Sequence, residues 1–388
     1  MNFSKLQELA SQSLQANIIE HISGPYLAAG SHHFKSLWTR DFCFAVPGLL
    51  AIGREDVAKN HLAALLNSLH PQDHLVPRIL DSMPSALRVA GNCALNILND
   101  DWSLPIKGKL KPEYVGEHGT PSFDSNLLTI LSSLDYIEHS GDEAFWNEYQ
   151  DQMAKAFSFY EDHTCSFLIG QPEYSDWQDS LKRKGATSYL NLLYLAVAKR
   201  LQAKGMNIGI DISSLEAEIK KEYFTDKKLF SNFPGVDDYS LESQIFVFDF
   251  QLFDQELRDE LYASLKSSEL WTKSNTPGQC CTVNSSKDQQ SWTTKLVGLG
   301  HYHGVMHWSW LMGYAAKAAH RQGDKEEYNR ILSGLEKLVE RDGAVYEIYD
   351  SECLMPWKAA LYRSERPFSW GAGKILESIL LASSVGEA

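Results

Sequence analysis

Apolar residues recur along this chain mostly at helical spacing. Leu6, Leu9 and Ile18 form an opening stripe, and Leu49, Ile52, Leu62, Leu65 and Leu66 fit a helix that follows Pro47. Leu127, Ile130, Leu131, Leu134 and Ile137 keep the i, i+3, i+4, i+7 pattern of a helix with one buried face. The same reading covers Leu190, Leu193, Tyr194 and Val197, then Trp308, Leu311, Met312 and Ala315, then Leu376, Ile379 and Leu380. Further candidates around 84–97, 142–162, 211–224, 241–253, 255–268 and 325–340 bring the total to about twelve helices. Gly141-Asp142 and Gly323-Asp324 each predict a tight turn, with Gly closing one helix and Asp starting the next. Strand-like runs are few: 245–250 is ambiguous, and 345–349 predicts a short extended piece.

Helices joined alternately by short turns and long loops predict an all-α fold, an (α/α)6 toroid with six inner and six outer helices. The long loops would then gather at one mouth. A superhelical repeat array is the alternative, but self-similarity at about 34 or 40 residues is missing. Pro, Gly and Ser are scattered and no linker stands out, so 1–388 reads as a single domain.

Composition narrows the partners. With 44% hydrophobic residues in 388, the chain has material for a large core. The net charge of −14 disfavours nucleic acid, which requires basic surfaces, and disfavours an acidic polysaccharide, although a local basic pocket stays open. No apolar run reaches the roughly 18 residues of a membrane span. The start, Met1-Asn2-Phe3-Ser4-Lys5-Leu6, lacks the pattern of a signal peptide. Six cysteines, with Cys280 and Cys281 adjacent, do not form a disulfide framework and predict reduced thiols in a cytoplasmic protein. An effector delivered by a signal-less route would look the same.

Candidate chemistry lies in four clusters of acidic and aromatic residues. In Tyr174-Ser175-Asp176-Trp177-Gln178-Asp179-Ser180, two carboxylates flank a tryptophan ahead of a helix beginning near Thr187. An indole can stack on the C–H face of a sugar while carboxylates handle hydroxyls and the glycosidic oxygen. An ordinary helix-start turn has the same composition. Leu37-Trp38-Thr39-Arg40-Asp41-Phe42 offers a donor fork beside an acceptor, either for neighbouring sugar hydroxyls or as a surface ion pair. In Thr120-Pro121-Ser122-Phe123-Asp124-Ser125-Asn126, Asp124 could bind a hydroxyl, hold the arginine or cap a helix. Glu347 lies between aromatic residues in Gly343-Ala344-Val345-Tyr346-Glu347-Ile348-Tyr349-Asp350.

Glycoside hydrolysis needs one carboxylic acid to protonate the leaving oxygen and a second carboxylate to activate water or attack carbon. Burial against aromatic faces and a nearby carboxylate would keep the acid protonated near neutral pH. Asp179, near Trp177 and Asp176, has such neighbours, and Glu347 is its candidate partner. His303 and His307 have i, i+4 spacing, with His301 close by, but no acidic residue completes a metal set there. We therefore expect neither metal nor organic cofactor, and read this stretch as a sugar-facing loop followed by a core helix.

In this order, the clusters resemble the six-hairpin glycosidases, especially the amylo-α-1,6-glucosidase part of glycogen debranching enzymes and the neutral/alkaline invertases. The likeness spans roughly residues 30 to 385. Trp38-Thr39-Arg40-Asp41-Phe42 with Pro47-Gly48-Leu49-Leu50 and Gly53-Arg54 resembles the early Arg–Asp motif, and Val76-Pro77-Arg78 a Pro-Asn-Arg-like turn. Phe123-Asp124-Ser125-Asn126-Leu127-Leu128 is similar to an Asp-x-x-Leu-Trp segment. Trp177-Gln178-Asp179 resembles the Trp-x-Asp motif of the general acid, with Gly185 and Asn191-Leu192-Leu193-Tyr194 following. Tyr302-His303-Gly304 with Trp308 is similar to a Tyr-His-x-Gly…Trp loop. Glu347-Ile348-Tyr349-Asp350 resembles the segment of the general base, and Phe368-Ser369-Trp370 the closing Gln-Ala-Trp-Ser motif. Three positions depart: 306–310 lacks a Trp-Pro pairing, Phe368 replaces Ala, and Asp176 stands where Thr is usual.

The resemblance implies an inverting, exo-acting hydrolase of a terminal α-linked sugar, glucose first, from a small oligosaccharide or glycoside. Asp179 would be the acid and Glu347 the base, with carboxyls roughly 6.5–9.5 Å apart. Arg40, Asp41, Asp124 and Asp176 would serve the sugar, His303 would face it, and Trp38, Trp177, Trp308 and Trp370 would stack. An invertase-like sucrose hydrolase and a non-catalytic carbohydrate-binding toroid are the alternatives.

Overall fold

A computed structural model describes residues 3–99, 102–271, 290–359 and 361–384. About half of the chain is helical. The helices are α1 (Ser4–Ala16), α2 (Thr39–Ala51), α3 (Glu55–Leu66), α4 (Ser85–Leu98), α5 (Ser125–Ser140), α6 (Glu143–Ser158) and α7 (Ser188–Ala203). They continue with α8 (Ile212–Tyr223), α9 (Leu241–Asp249), α10 (Gln255–Ser267), α11 (Trp292–Leu296), α12 (Ser309–Arg321), α13 (Lys325–Asp342) and α14 (Ser369–Ser384). Short strands make four small sheets: β1 (Ile18–His21) with β2 (Gly24–Leu27), β3 (Leu37–Trp38) with β4 (Ile79–Asp81) and β5 (Lys111–Glu113), β6 (Thr164–Cys165) with β7 (Leu168–Ile169), and β8 (His307–Trp308) with β9 (Ile348–Tyr349).

Turn chemistry sets the helix boundaries where the sequence is clearest. Gly141 takes φ 68° after α5, and the Asp142 side chain then accepts from the Phe145 N–H at 3.0 Å to start α6. Gly323 (φ 73°) and Asp324, which accepts from the Glu327 N–H at 3.1 Å, repeat the device between α12 and α13. Each such cap stabilises its helix by about 1 kcal/mol. Elsewhere the periodicity misleads. Ile18 is not helical; α1 ends at Ala16, and Ile18 pairs with Leu27 across the β1–β2 hairpin. The stripe from Leu49 to Leu66 belongs to two helices separated at Gly53 (φ 70°), and α2 runs straight through Pro47. Proline there cannot bond the Cys43 carbonyl one turn back, and the Ser132 hydroxyl of α5 supplies the missing donor at 3.0 Å. The ambiguous 245–250 run is helical to Asp249, and Trp308 precedes α12 as a strand residue.

Helices buried on nearly every side alternate with helices buried along one stripe. On α13 the buried set is Tyr328, Ile331, Leu332, Gly334, Leu335, Leu338 and Val339, a single face. On α7 nearly every residue from Ser188 to Ala198 is buried. The buried helices pack in sequence, α2 on α5, α5 on α7, α7 on α9, α9 on α12, α12 on α14, and α14 back on α2. The α2–α14 crossing is close because a Cβ at Gly48 would stand 2.4 Å from the Gly373 Cα, so both positions need glycine. One hydrophobic cluster runs from Phe3 to Ile379.

No helix among the described residues is long and apolar enough to cross a membrane. Cys280 and Cys281 lie outside the described residues; Cys43, Cys93, Cys165 and Cys353 are unpaired. Where β4 meets α4, a fully buried fork joins Arg88 to Asp81, Nε to Oδ2 at 2.5 Å and Nη2 to Oδ1 at 2.6 Å. Asp81→Ala would strand a buried guanidinium, and the expected loss is about 3–5 kcal/mol of unfolding free energy, read by urea titration.

Candidate active site

The N-terminal ends of the buried helices bring the predicted residues together. Thr39 fixes the entry to α2: its hydroxyl donates to the Pro77 carbonyl at 2.5 Å and its N–H to the Arg78 carbonyl at 3.0 Å. Arg40, in the first turn, forks onto Asp124 at the start of α5, with Nε–Oδ2 at 2.7 Å and Nη2–Oδ1 at 3.0 Å. Asp124 also accepts from the Ser122 and Tyr189 hydroxyls, each at 2.9 Å. It occupies the cap position of α5 but makes no capping bond, and it is fully buried. Of the roles open to it in the sequence, it holds the arginine; no edge is left for a sugar.

Asp179 meets two guanidinium groups. Arg40 Nη1 lies 3.2 Å and Arg78 Nη2 3.6 Å from its Oδ2. Among the described residues no donor reaches Oδ1. The side chain is 30% exposed, so it is open to a ligand. Burial alone would push its pKa up, but Arg40 and Arg78 outweigh that and hold it below the ordinary 3.8. This is the reverse of the protonated acid that its aromatic neighbours predict, because the two arginines that converge on it are distant in the chain.

Glu347 sits just before β9 and is almost wholly buried. The Tyr302 hydroxyl donates to its Oε1 and the Tyr362 hydroxyl to its Oε2. The Glu365 N–H adds a third donor at 3.3 Å. A carboxylate offers about four acceptor positions, so room for one water or hydroxyl remains. Burial pushes the Glu347 pKa up to about 8 despite both tyrosine hydroxyls.

These groups close a circuit. Arg78 lies over the Trp38 ring at 4.6 Å, Trp38 meets Phe34 at 5.7 Å between ring centroids, and Phe34 meets Tyr362 at 6.5 Å. Tyr362 leads to Glu347, Glu347 to Tyr302, and Tyr302 to His303 at 4.6 Å. The His303 Nδ1 and the Ser180 hydroxyl are 2.6 Å apart, and Ser180 adjoins Asp179. Burial drives the His303 pKa down to about 3, so this imidazole is neutral. Asp41, partly exposed beside Arg40, is raised to about 7 by burial, with Arg40 opposing and Asp179 adding to the shift.

Several predicted contacts lie behind the wall of this circuit instead of on it. Asp176 is fully buried, accepting from Gln171 at 2.9 Å and from the Gln178 N–H at 3.0 Å, with Arg183 at 3.5 Å. Trp177 has its ring edge-on to His303, Trp308 and Trp310, at 5.0, 5.5 and 4.9 Å. Trp370 stacks on Phe44 at 4.6 Å and on Trp310 at 4.4 Å. Trp308 donates its indole N–H to the Tyr302 carbonyl at 2.9 Å. Trp177, Trp308 and Trp370 are all buried, so the stacking role expected of them does not fit; they shape the wall, and only Trp38 of the four keeps an accessible ring.

Sequence reasoning missed Tyr362, Phe34 and Glu365. Glu365 is buried and accepts from the Ser31, His32 and Phe34 N–H groups at 3.1, 2.8 and 2.9 Å. It thereby ties the loop before β3 to the segment after β9. The run His32-His33-Phe34, shortly before Trp38, was the available signal. Among the described residues no group of three or more His, Cys, Asp or Glu side chains is placed to hold a metal ion.

No family model and no curated protein matches the chain. Solved structures do. A wild-type glycosidase is 14% identical with a TM-score of 0.64, over 99% of this chain and 98% of that one. A GH63 mannosylglycerate hydrolase from Thermus thermophilus, in complex with Tris, is 12% identical with a TM-score of 0.63, over 96% and 99%. A rhamnosidase from Klebsiella oxytoca with rhamnose bound is 13% identical with a TM-score of 0.66, over 99% of this chain and 64% of that one. Along nearly its whole length, the chain shares the fold of these glycosidases.

Proposed function

We propose that the chain is a glycoside hydrolase, one catalytic domain built as a six-over-six helical toroid. It removes a terminal α-linked sugar, glucose first, from a small oligosaccharide or glycoside with inversion. The observation that carries this reading is the pair Asp179 and Glu347, one beside two arginines and the other held by two tyrosine hydroxyls, joined through a single circuit of side chains. The likeness in fold to named glycosidases supports it, and so does the cyclic packing order of the buried helices.

In this reading Asp179 gives the proton from Oδ1 to the leaving oxygen as the C–O bond breaks. Glu347 takes a proton from the water that attacks the anomeric carbon from the other side. The Arg40 fork, fixed by Asp124, positions Asp179 and the partly exposed Asp41, which accepts from sugar hydroxyls. Trp38 supplies the stacking face. No step needs a metal or cofactor.

The reactive form holds one proton between the two carboxyls. Below the Asp179 pKa both are protonated, and above that of Glu347 both are ionised. The expected kcat/KM profile is a bell whose alkaline limb falls near pH 8 and whose acidic limb lies below pH 3.8. A flat profile between pH 7 and 9 would contradict the role of Glu347.

Sucrose, isomaltose, trehalose and glucosylglycerate, offered separately, test the substrate reading. Cleavage of an α-glucoside is the expected result. Cleavage of sucrose alone would move the chain to the invertases, and saturable sugar binding without turnover of any of them would make it a binding protein.

A further inference from the structure

Arg78 is the site's unspent cation. Its main chain is fixed on both sides, the carbonyl accepting from Thr39 N–H at 3.0 Å and the N–H donating to the Glu113 carbonyl at 2.7 Å. Its guanidinium carbon lies over the Trp38 ring, 4.6 Å from the centroid, a cation–π contact that helps to hold it in place. A Cβ at Gly116 would lie 3.4 Å from its Cζ, so the glycine there leaves it room. Arg40 spends its N–H groups on Asp124, Ser122 and Asp179. Among the described residues, Arg78 has Asp179 at 3.6 Å as its one close polar side-chain partner, longer than a good hydrogen bond. A guanidinium carries five N–H donors, so most remain for a ligand, and 17% of the side chain is exposed.

We infer that Arg78 receives an anionic group, a carboxylate or phosphate, on the leaving portion of the substrate, and that this contact frees Asp179 to carry its proton. The inference rests on the hydrolase reading and narrows its substrate class. Asp179 can act as an acid only when protonated, and protonation removes the counter-charge from Arg78. A mostly buried cation left alone is costly, and an anion on the leaving group restores the pairing. The other charged or titratable groups around Asp179 replace it only in part: Arg40 is neutralised by Asp124, His303 is neutral, Asp41 lies beside Arg40, and Glu117 offsets some of the Arg78 charge from beyond ion-pair distance. The overall charge of −14 argues against a polyanion, and a single local anion avoids that conflict.

The test compares matched pairs, glucosylglycerate with glucosylglycerol and trehalose 6-phosphate with trehalose. The wild-type protein is expected to favour the charged member of at least one pair by ~10- to 100-fold in kcat/KM, the size of a charge-assisted hydrogen bond. Whichever pair shows it separates carboxylate from phosphate. In Arg78→Met the ratio should collapse toward one, in Arg78→Lys part of it should survive, and the acidic limb of Arg78→Met should move to higher pH. A role confined to folding would leave both the ratio and the limb unchanged. Calorimetry with glycerate and with inorganic phosphate, on wild type and Arg78→Met, reads the anion site without catalysis. Equal turnover of charged and neutral members, a preference that survives in Arg78→Met, or the absence of Arg78-dependent binding of either anion would each overturn the inference. Arg78-dependent anion binding with no glycoside cleaved would instead sink the hydrolase reading and leave the anion site standing.

Discussion

Asp179→Asn is expected to lower kcat by ~10²–10⁴-fold on an alkyl or sugar glycoside, the range for loss of a general acid. The amide is nearly isosteric, so the fold should be kept, with some stability lost because Arg78 gives up its one close counter-charge. The loss should shrink on aryl glycosides with acidic phenols, whose leaving oxygen needs little protonation. That gradient separates the acid from the base, which a pH profile alone does not, because the singly protonated pair has the same composition whichever carboxyl holds the proton. The gradient matters here because the two arginines oppose protonation of Asp179 while burial favours it on Glu347. An equal loss on every leaving group would transfer the acid role to Glu347.

Glu347→Gln is the second large effect, also expected at ~10²–10⁴-fold in kcat. Glutamine keeps the shape and one acceptor for the tyrosine hydroxyls, so the buried site should stay intact, which a melting curve with an unchanged midpoint would establish. Because the base serves only to activate water, loss should be similar for good and poor leaving groups. Azide, a small anion that attacks without giving up a proton, should restore part of the turnover. If azide rescued Asp179→Asn on an alkyl glycoside and left Glu347→Gln inactive, the assignment would be reversed.

The helices were legible wherever one face is apolar and the ends carry Gly and Asp, as at Gly141-Asp142 and Gly323-Asp324. Pro47 was not, because its neighbour Ser132 lies on another helix and supplies the donor for the Cys43 carbonyl. Acidic residues beside aromatic ones marked loops that the fold brings into contact, as Arg40 with Asp124 and Asp179. Which way each side chain faces was hidden. Asp176 and Asp179 stand three apart in one turn, yet Asp176 is buried with Arg183 and Asp179 opens to the site. Tryptophans have the same ambiguity: composition cannot tell a ring that stacks on sugar from one locked between Phe44 and Trp310, as Trp370 is. Several contacts that define the site join residues far apart in sequence. Glu365 holds residues 31–34 from more than 330 positions away, and Arg40 reaches Asp179 across 139. No local pattern encodes such pairings.

Inversion by Asp179 and Glu347 is read by proton NMR of the anomeric signals during hydrolysis of an α-glucoside by the wild-type protein. β-Glucose is expected to appear first and only later to equilibrate to the α anomer. First appearance of α-glucose would contradict inversion and the acid–base pairing of Asp179 with Glu347, and no released sugar from any glycoside offered would contradict the hydrolase reading itself.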